Sequence, residues 1–430
     1  MLKSEQTRTK TLLAAAIGNA LEWYDFGLYG FFALTLQKLF FPFDSTEKGL
    51  LSVFIVFAVG FFMRPLGGVF FGILGDTHGR KIALIASLIT MALPTFFFAF
   101  LPTYAQAGIW AIALFIILRL IQGLAVGGEM MGSLTFLAEH ALPASRGLNA
   151  SLIYSLGTTG GLLGTLAGTL LHLFFSDEAI LAWAWRLPFL FGIVVGGIGL
   201  YIRMKVQETP LFRKIASANQ TSRSPLRESL KKHPREIVVI FLLISFQAVG
   251  YYLPFVYLIT WLANQAHFSA FTSFLINTLG LLTLIVFIPL FAHLSDLFGR
   301  KKIMMAGAAL TVLFSYPLFT FLSTIGDTSS AFTSAYIALA LFAIATALYQ
   351  GPLAATLAEL LATKYRYTSL VIGYNFSAAI FGGTTPFFAT YLIQVTGFSQ
   401  APAFLLMGTG LIAFFTLLFF VKETFRMVLK

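Results

Sequence analysis

The chain has 430 residues, 58% of them hydrophobic and only 10% charged, with a net charge of +11 and no cysteine. Soluble domains carry about a quarter charged residues, so these few cannot cover a water-facing surface, and a mean hydropathy of +0.86 marks lipid as the solvent for most of the chain. A soluble enzyme, a nucleic-acid-binding module, a disordered scaffold, disulfides and sulfur-ligated metal sites are thereby excluded, and the lack of GxxxxGKS/T and HExxH motifs leaves an ATP-driven pump or a zinc protease without support.

A membrane-crossing helix needs about 20 mostly apolar residues. Runs of that kind predict twelve helices, at 11–36, 48–75, 81–101, 106–130, 147–174 and 183–203, then 236–263, 270–294, 302–323, 333–361, 367–395 and 400–421. The fold class is therefore an all-α membrane protein of twelve transmembrane helices in two six-helix bundles. The N-terminal bundle spans 1–203 and the C-terminal bundle 236–430, joined by a polar cytoplasmic linker, 204–235, in which SANQTSRSP reads as loop and neighbouring stretches as a short surface helix. Glu22 and Asp25 interrupt the first apolar run and no small-residue cleavage site follows, so no cleavable signal peptide is expected.

Positive loops stay on the cytoplasmic side. Of the 28 Lys and Arg, all except Lys38, Lys48, Arg64, Arg119 and Arg186 fall in the N-terminus, the even-numbered connections or the C-terminal tail. Both termini are thus expected in the cytoplasm of a bacterial inner membrane, and the +11 is a topology signal.

GILGDTHGRK (72–81) reappears as AHLSDLFGRK (292–301), and AEHALPASRG (138–147) as AELLATKYRY (358–367). One offset relates Asp76 to Asp296, Arg80 to Arg300, Glu139 to Glu359 and Arg146 to Arg366, as in two halves of one design. All lie where helices 2, 4, 8 and 10 meet the cytoplasm. They are expected to form a charge-assisted latch that gates the carrier; topogenic charge and helix capping are the plainer reading.

GxLxDxxGRK between helices 2 and 3, and again between 8 and 9, resembles the signature loop of the major facilitator superfamily. GNALEWYDFGLYGF (18–31), FFMRPLGG (61–68), RLIQGLAVGGE (119–129), WRLPF (185–189) and YNFSAAIFGGTTPFFAT (374–390) resemble more narrowly its metabolite:proton symporters, carriers of proline/betaine, α-ketoglutarate, citrate and shikimate. The resemblance implies transport by alternating access, with helices 1, 4, 7 and 10 lining the path. Two departures narrow it. The chain ends nine residues after its last apolar run, so the long C-terminal coiled coil of the osmosensing proline/betaine branch is not expected. Helix 5, GTTGGLLGTLAG (157–168), lacks the glycine-proline motif of drug antiporters, and its Gly157/Gly161 and Gly160/Gly164 pairs read as close-packing faces.

Glu22, Asp25, Arg64, Arg119 and Glu129 lie within spans and have no charged twin in the second half. Intramembrane charges cost roughly 2.5–3.5 kcal/mol on insertion scales and face a cavity or a partner. Asn19, Glu22, Asp25 and Tyr29 form one predicted face of helix 1, and Arg119, Gln122 and Glu129 one stripe of helix 4. Opposite them stand Gln247, Tyr251 and Tyr252 on helix 7, Tyr349 and Gln350 on helix 10, and Asn277 and Asn375 on helices 8 and 11. Substrate-binding candidates are Arg119, Asn19, Tyr29, Gln122, Gln247, Tyr251, Tyr252, Tyr349, Gln350 and Asn375. Arg119 is expected to grip a substrate carboxylate, balanced in the empty carrier by Asp25 or Glu22, the proton-coupling candidates. The plainer reading makes either acid a buried partner of Arg64; Arg64 and Glu129 join the gating set. Trp23 and Tyr24 invite a cation–π cage for a quaternary ammonium, against a packing role. Gly382-Gly383-Thr384-Thr385-Pro386 predicts a kink in helix 11. No histidine shows metal-ligand spacing.

The expected function is import of a small carboxylate-bearing solute, an organic acid or a zwitterion such as proline or betaine, with protons. The carrier is expected to work as a monomer, with no cofactor beyond the proton gradient, no nucleic acid and no enzymatic chemistry. A uniporter or exchanger of the same solutes, or a non-transporting membrane sensor, is the alternative.

Overall fold

In a computed structural model the described residues are 19–427 and 429, without 21, 44, 79, 128, 206–224, 326–328 and 362; they are helical, with no strand among them. Twelve helices follow the predicted order. The first half holds α1 (22–40, turned at Phe32), α2 (Thr46–Phe62 and Arg64–His78), α3 (Arg80–Phe98), α4 (Ile109–Ala125 and Glu129–His140), α5 (Arg146–Phe174) and α6 (Arg186–Lys205). The second holds α7 (Pro234–Tyr252, Leu253–Tyr257, Leu258–Gln265), α8 (Ala270–Phe298), α9 (Arg300–Ile325), α10 (Ser329–Glu359), α11 (Thr363–Ser377, Ala378–Gly382, Thr385–Thr396) and α12 (Ala403–Phe420). Among the described residues nine stretches are long and apolar enough to span a bilayer, and a tenth if the pair Asp177–Ala184 and Arg186–Tyr201, bent by 53°, is one span. Glycine and threonine dilute the apolar character of α5, although it has 29 residues.

Several helices outrun their apolar runs, most of all α4, predicted to stop at 130 and continuing to His140. Beyond the hydrocarbon, helices keep their hydrogen bonds in the polar interface, where hydropathy no longer reports them. The breaks have local causes. Pro65 lacks the N–H that would continue α2 past Met63. In α11 a π-turn over Ala378–Gly382 precedes a new helical start beside Pro386, at the predicted kink. Of the linker, 206–224 lie outside the described residues, including most of SANQTSRSP; Pro225–Lys232 is a short helix.

The halves meet along two seams. On one, α5 lies against α8: Thr169 and Thr278 hydroxyls are 3.1 Å apart, Ser155 donates to the Ile285 carbonyl, and the bare Gly168 receives the Phe274 ring. On the other, Phe61 of α2 packs against Gly383 of α11. Within the first half, Gly157, Gly160 and Gly164 let α5 approach α1, and a Cβ on Gly160 would strike the Ala20 carbonyl. Gly161 faces the Tyr251 hydroxyl instead, so the predicted Gly157/Gly161 face is split between two neighbours while Gly160 and Gly164 both meet α1. Outward faces carry exposed Phe70, Ile73, Ile117, Leu313 and Phe419, as a lipid-facing surface requires.

Candidate functional site

Between the halves lies a narrow cavity lined by Trp23 of α1, Met130 of α4, Ile153, Tyr154, Gly157 and Thr158 of α5, Gln247 and Tyr251 of α7, and Gln350 of α10. The four helices implied by the resemblance all contribute, and α5 joins them. Trp23 is held by two rings of α7, edge-on to Tyr251 at 5.4 Å and stacked on Tyr252 at 6.1 Å. Three buried donors in this lining have no hydrogen-bond partner among the described residues: the Tyr154 and Tyr251 hydroxyls and Gln350 Nε2. Unpaired buried donors cost about 1–3 kcal/mol each, so the cavity is built for a hydrogen-bond acceptor. None of its lining residues is charged.

The expected charged wall is not at this cavity. Arg119 is fully buried, with its guanidinium carbon 3.9 Å from the Phe26 ring centroid, 4.6 Å from Tyr29 and 5.0 Å from Phe57. Ring faces replace the carboxylate predicted to balance it, an attraction worth about 2 kcal/mol when desolvated. Its Nη1 donates to Gln122 Oε1 (3.1 Å), and Gln122 Nε2 donates to the Thr95 hydroxyl (2.8 Å). Asp25 faces α3 and α6, its Oδ1 3.0 Å from where a Cβ on Gly192 would sit, beside Thr95. No ion pair joins Asp25 to Arg119 or Arg64 among the described residues: two neutral side chains stand between acid and Arg119, and Arg64 lies against Phe26, Phe61 and Tyr374. Glu22 is buried too and close enough to influence both Asp25 and Tyr374 electrostatically.

The predicted polar face of α1 is covered by neighbouring helices. Asn19 donates to the Ile153 carbonyl of α5 (2.9 Å) and Tyr29 to Val53 of α2 (2.7 Å). Periodicity finds such a face but not what covers it, and the 22–33 stretch of α1 is covered on every side. Of Trp23 and Tyr24, only the first reaches the cavity. Adjacent residues point about 100° apart, and Tyr24 donates instead to the Pro188 carbonyl (2.7 Å). Tyr349 ties α10 to α7 through the Leu243 carbonyl (2.9 Å), and Asn375 ties α11 to the Gly127 carbonyl; neither lines the cavity. Gln247, Tyr251 and Gln350 do; Tyr252 supports it from behind Trp23. The sequence reading missed Met130, Ile153, Tyr154 and Thr158. Tyr154, three residues before the small-residue run of α5, was the available signal.

At the end of the bundle carrying the basic connections, the repeated charges pair across the halves. Arg146 Nη1 meets Glu359 Oε1 at 2.8 Å, and Arg366 meets Glu139. Glu359 is shared, since Arg300 grips it through Nε (2.7 Å) and Nη2 (3.0 Å) and also holds Asp296 (3.0 Å). Asp296 accepts from the first backbone N–H groups of α5, at Gly147 (2.8 Å) and Leu148 (2.9 Å), which no intrahelical carbonyl can satisfy. The side chains of Asp76, Arg80 and Glu129 lie outside the described residues.

The profile described as "Sugar (and other) transporter" matches residues 11–234, and "Major Facilitator Superfamily" matches 255–429. Over 98% of its length the chain is 34% identical to the glycine betaine/proline/ectoine/pipecolic acid transporter OusA of Dickeya dadantii, covering 84% of that protein. It is 32% identical to the proline/betaine transporter of Salmonella typhimurium, covering 98% of this chain and 85% of that one. Its fold matches the partially occluded inward-open xylose transporter XylE from E. coli with a TM-score of 0.78 over 97% of this chain and 98% of that one, at 19% identity. From the crossed pairing of repeated charges, the two seams and these likenesses together, the chain belongs to the major facilitator superfamily, as a relative of the proline/betaine transporters.

Proposed function

We propose that this chain imports a compact zwitterion of the proline/betaine class together with protons, by alternating access, through a bacterial inner membrane with the basic end in the cytoplasm. The observation that carries the solute class is the uncharged cavity with an aromatic wall and three unpartnered donors. A zwitterion brings no net charge, so no lining ion is needed to balance it. Its cationic end suits the face of Trp23; its carboxylate suits the Tyr154 and Tyr251 hydroxyls and Gln350. The names of the relatives point the same way.

Proton coupling is assigned to Asp25 and Glu22. They are buried in the first half apart from the cavity lining, so an acid can change protonation without touching solute, and Thr95 and Gln122 stand between Asp25 and Arg119. Moving one charge through 100 mV yields about 2.3 kcal/mol, roughly a fortyfold gradient of a net-neutral solute. The test is uptake of labelled proline and betaine into proteoliposomes with and without an imposed proton gradient. Uphill accumulation only with the gradient is expected. Flux indifferent to it makes the chain a uniporter or exchanger, and binding without flux makes it a sensor. Asp25→Asn is expected to keep exchange between two loaded pools and lose accumulation.

A further inference from the structure

At the end opposite the basic connections lies a second, narrow cavity. It sits between Glu47 and Leu50 of α2 in one half and Tyr257, Thr260, Trp261, Asn264, Gln265, Thr390 and Ile393 of α7 and α11 in the other. It shares no lining residue with the central cavity. Phe54 and Tyr257, with ring centroids 5.7 Å apart, join the halves at its floor, and Val256 presses on Gly30 beside them.

The polar groups here are those of a site. Thr260 is 2% exposed, and its hydroxyl has no hydrogen-bond partner among the described residues. Asn264 and Gln265 are half-buried amides on the next turn of the same helix, and Glu47 is an exposed carboxylate across the seam. Glu47 sits in the first turn of α2, where the helix dipole favours an acid, and its Oε2 accepts from the Ser45 hydroxyl (2.8 Å). That accounts for an acid on this turn, but not for a buried hydroxyl and two amides facing it across a gap. Lys48 is one residue further round the helix, about 100° away.

We propose that this outer cavity is a second binding site for a compact zwitterion, which rests there while the Phe54/Tyr257 contact is closed. Glu47 faces the cationic end, and Thr260 with Asn264 and Gln265 faces the carboxylate. The proposal rests on the zwitterion reading of the central cavity. It adds a difference between the two sites: Glu47 can accept hydrogen bonds from the N–H groups of proline, but not from the methylated nitrogen of betaine. The outer site therefore prefers proline, whereas the Trp23 face suits the quaternary ammonium.

The experiment is calorimetric titration of the full chain in lipid nanodiscs with proline and with betaine. Wild type is expected to show two classes of site. Glu47→Gln and Thr260→Val should each weaken one class at least tenfold and leave the other in place; Thr260→Ser, which keeps the hydroxyl, should restore it. Trp23→Ala should weaken the other class. A single class that Trp23→Ala removes, with Glu47→Gln and Thr260→Val silent, overturns the outer site and leaves the zwitterion reading standing. Two classes of which the Glu47-dependent one prefers betaine overturns the assignment of Glu47 to the cationic end. Absence of proline and betaine binding in every form overturns both readings.

Discussion

Arg119 shows how a residue can be singled out in a sequence and paired there with a neighbour the fold does not give it. As an unmatched cation inside a span it had to be compensated, and a carboxylate was the expected partner. The fold surrounds it instead with the faces of Phe26, Tyr29 and Phe57 and a single amide, with Nε and Nη2 making no hydrogen bond among the described residues. Because Arg119 lies outside the cavity lining, Arg119→Gln should leave solute binding within about threefold, an indirect effect below ~1 kcal/mol, while abolishing proton-driven accumulation. Loss of binding in equilibrium titration would restore it to the solute. The hydroxyls carry the opposite expectation. On the proposed zwitterion reading, Tyr154→Phe and Tyr251→Phe would each remove a hydrogen bond to a carboxylate, worth about 1.5–3 kcal/mol, so affinity should fall at least tenfold with folding intact.

Among the helices, α5 has the most exacting surface. Its glycines admit α1 and α7 on two sides, and the Ala20 carbonyl occupies the place of a Gly160 side chain. Gly160→Val should therefore destabilise the purified protein by about 1–3 kcal/mol through overpacking, read as a lower midpoint of thermal unfolding. Gly408 of α12 meets nothing within 4 Å of an added Cβ. Gly408→Ala should be neutral or stabilise by up to ~1 kcal/mol, since alanine orders a helix at lower entropic cost. Both glycines look alike in sequence; only their neighbours separate them. The tail after α12 is likewise set by its contacts. Glu423 accepts from the Arg300 and Lys301 backbone N–H groups at the start of α9, and the Met427 carbonyl accepts from Arg146.

For the molecule as a whole, the buried network around Glu359 joins the two halves at the basic end, and on the proposed alternating-access reading it is what closes that end. Removing one partner of a buried pair costs about 3–5 kcal/mol, here charged to the closed conformation alone, and about 5.5 kcal/mol would carry an equilibrium from 1:99 to 99:1. Glu359→Gln should therefore shift the population strongly toward opening at that end. The chain has no cysteine, so a single Met130→Cys in the cavity lining can be labelled without background. Maleimide applied to the basic end should react severalfold faster in the Glu359→Gln background, and an unchanged rate would remove the network from gating.

Sequence alone determined the membrane environment, the twelve helices and the 220-residue repeat, because lipid solvation and duplicated charge are written in composition and spacing. It also singled out Gln247, Tyr251 and Gln350, which the structure places in the lining of the central cavity. It could not tell which neighbour covers each face of α1, that Trp23 and not Tyr24 meets the cavity, or that Arg146 reaches Glu359 instead of a residue of its own half. Those outcomes depend on how helices far apart in the chain approach one another. Close backbone contact at bare glycines and the mutual burial of charges settle them, and no local period of 3.6 residues contains that information.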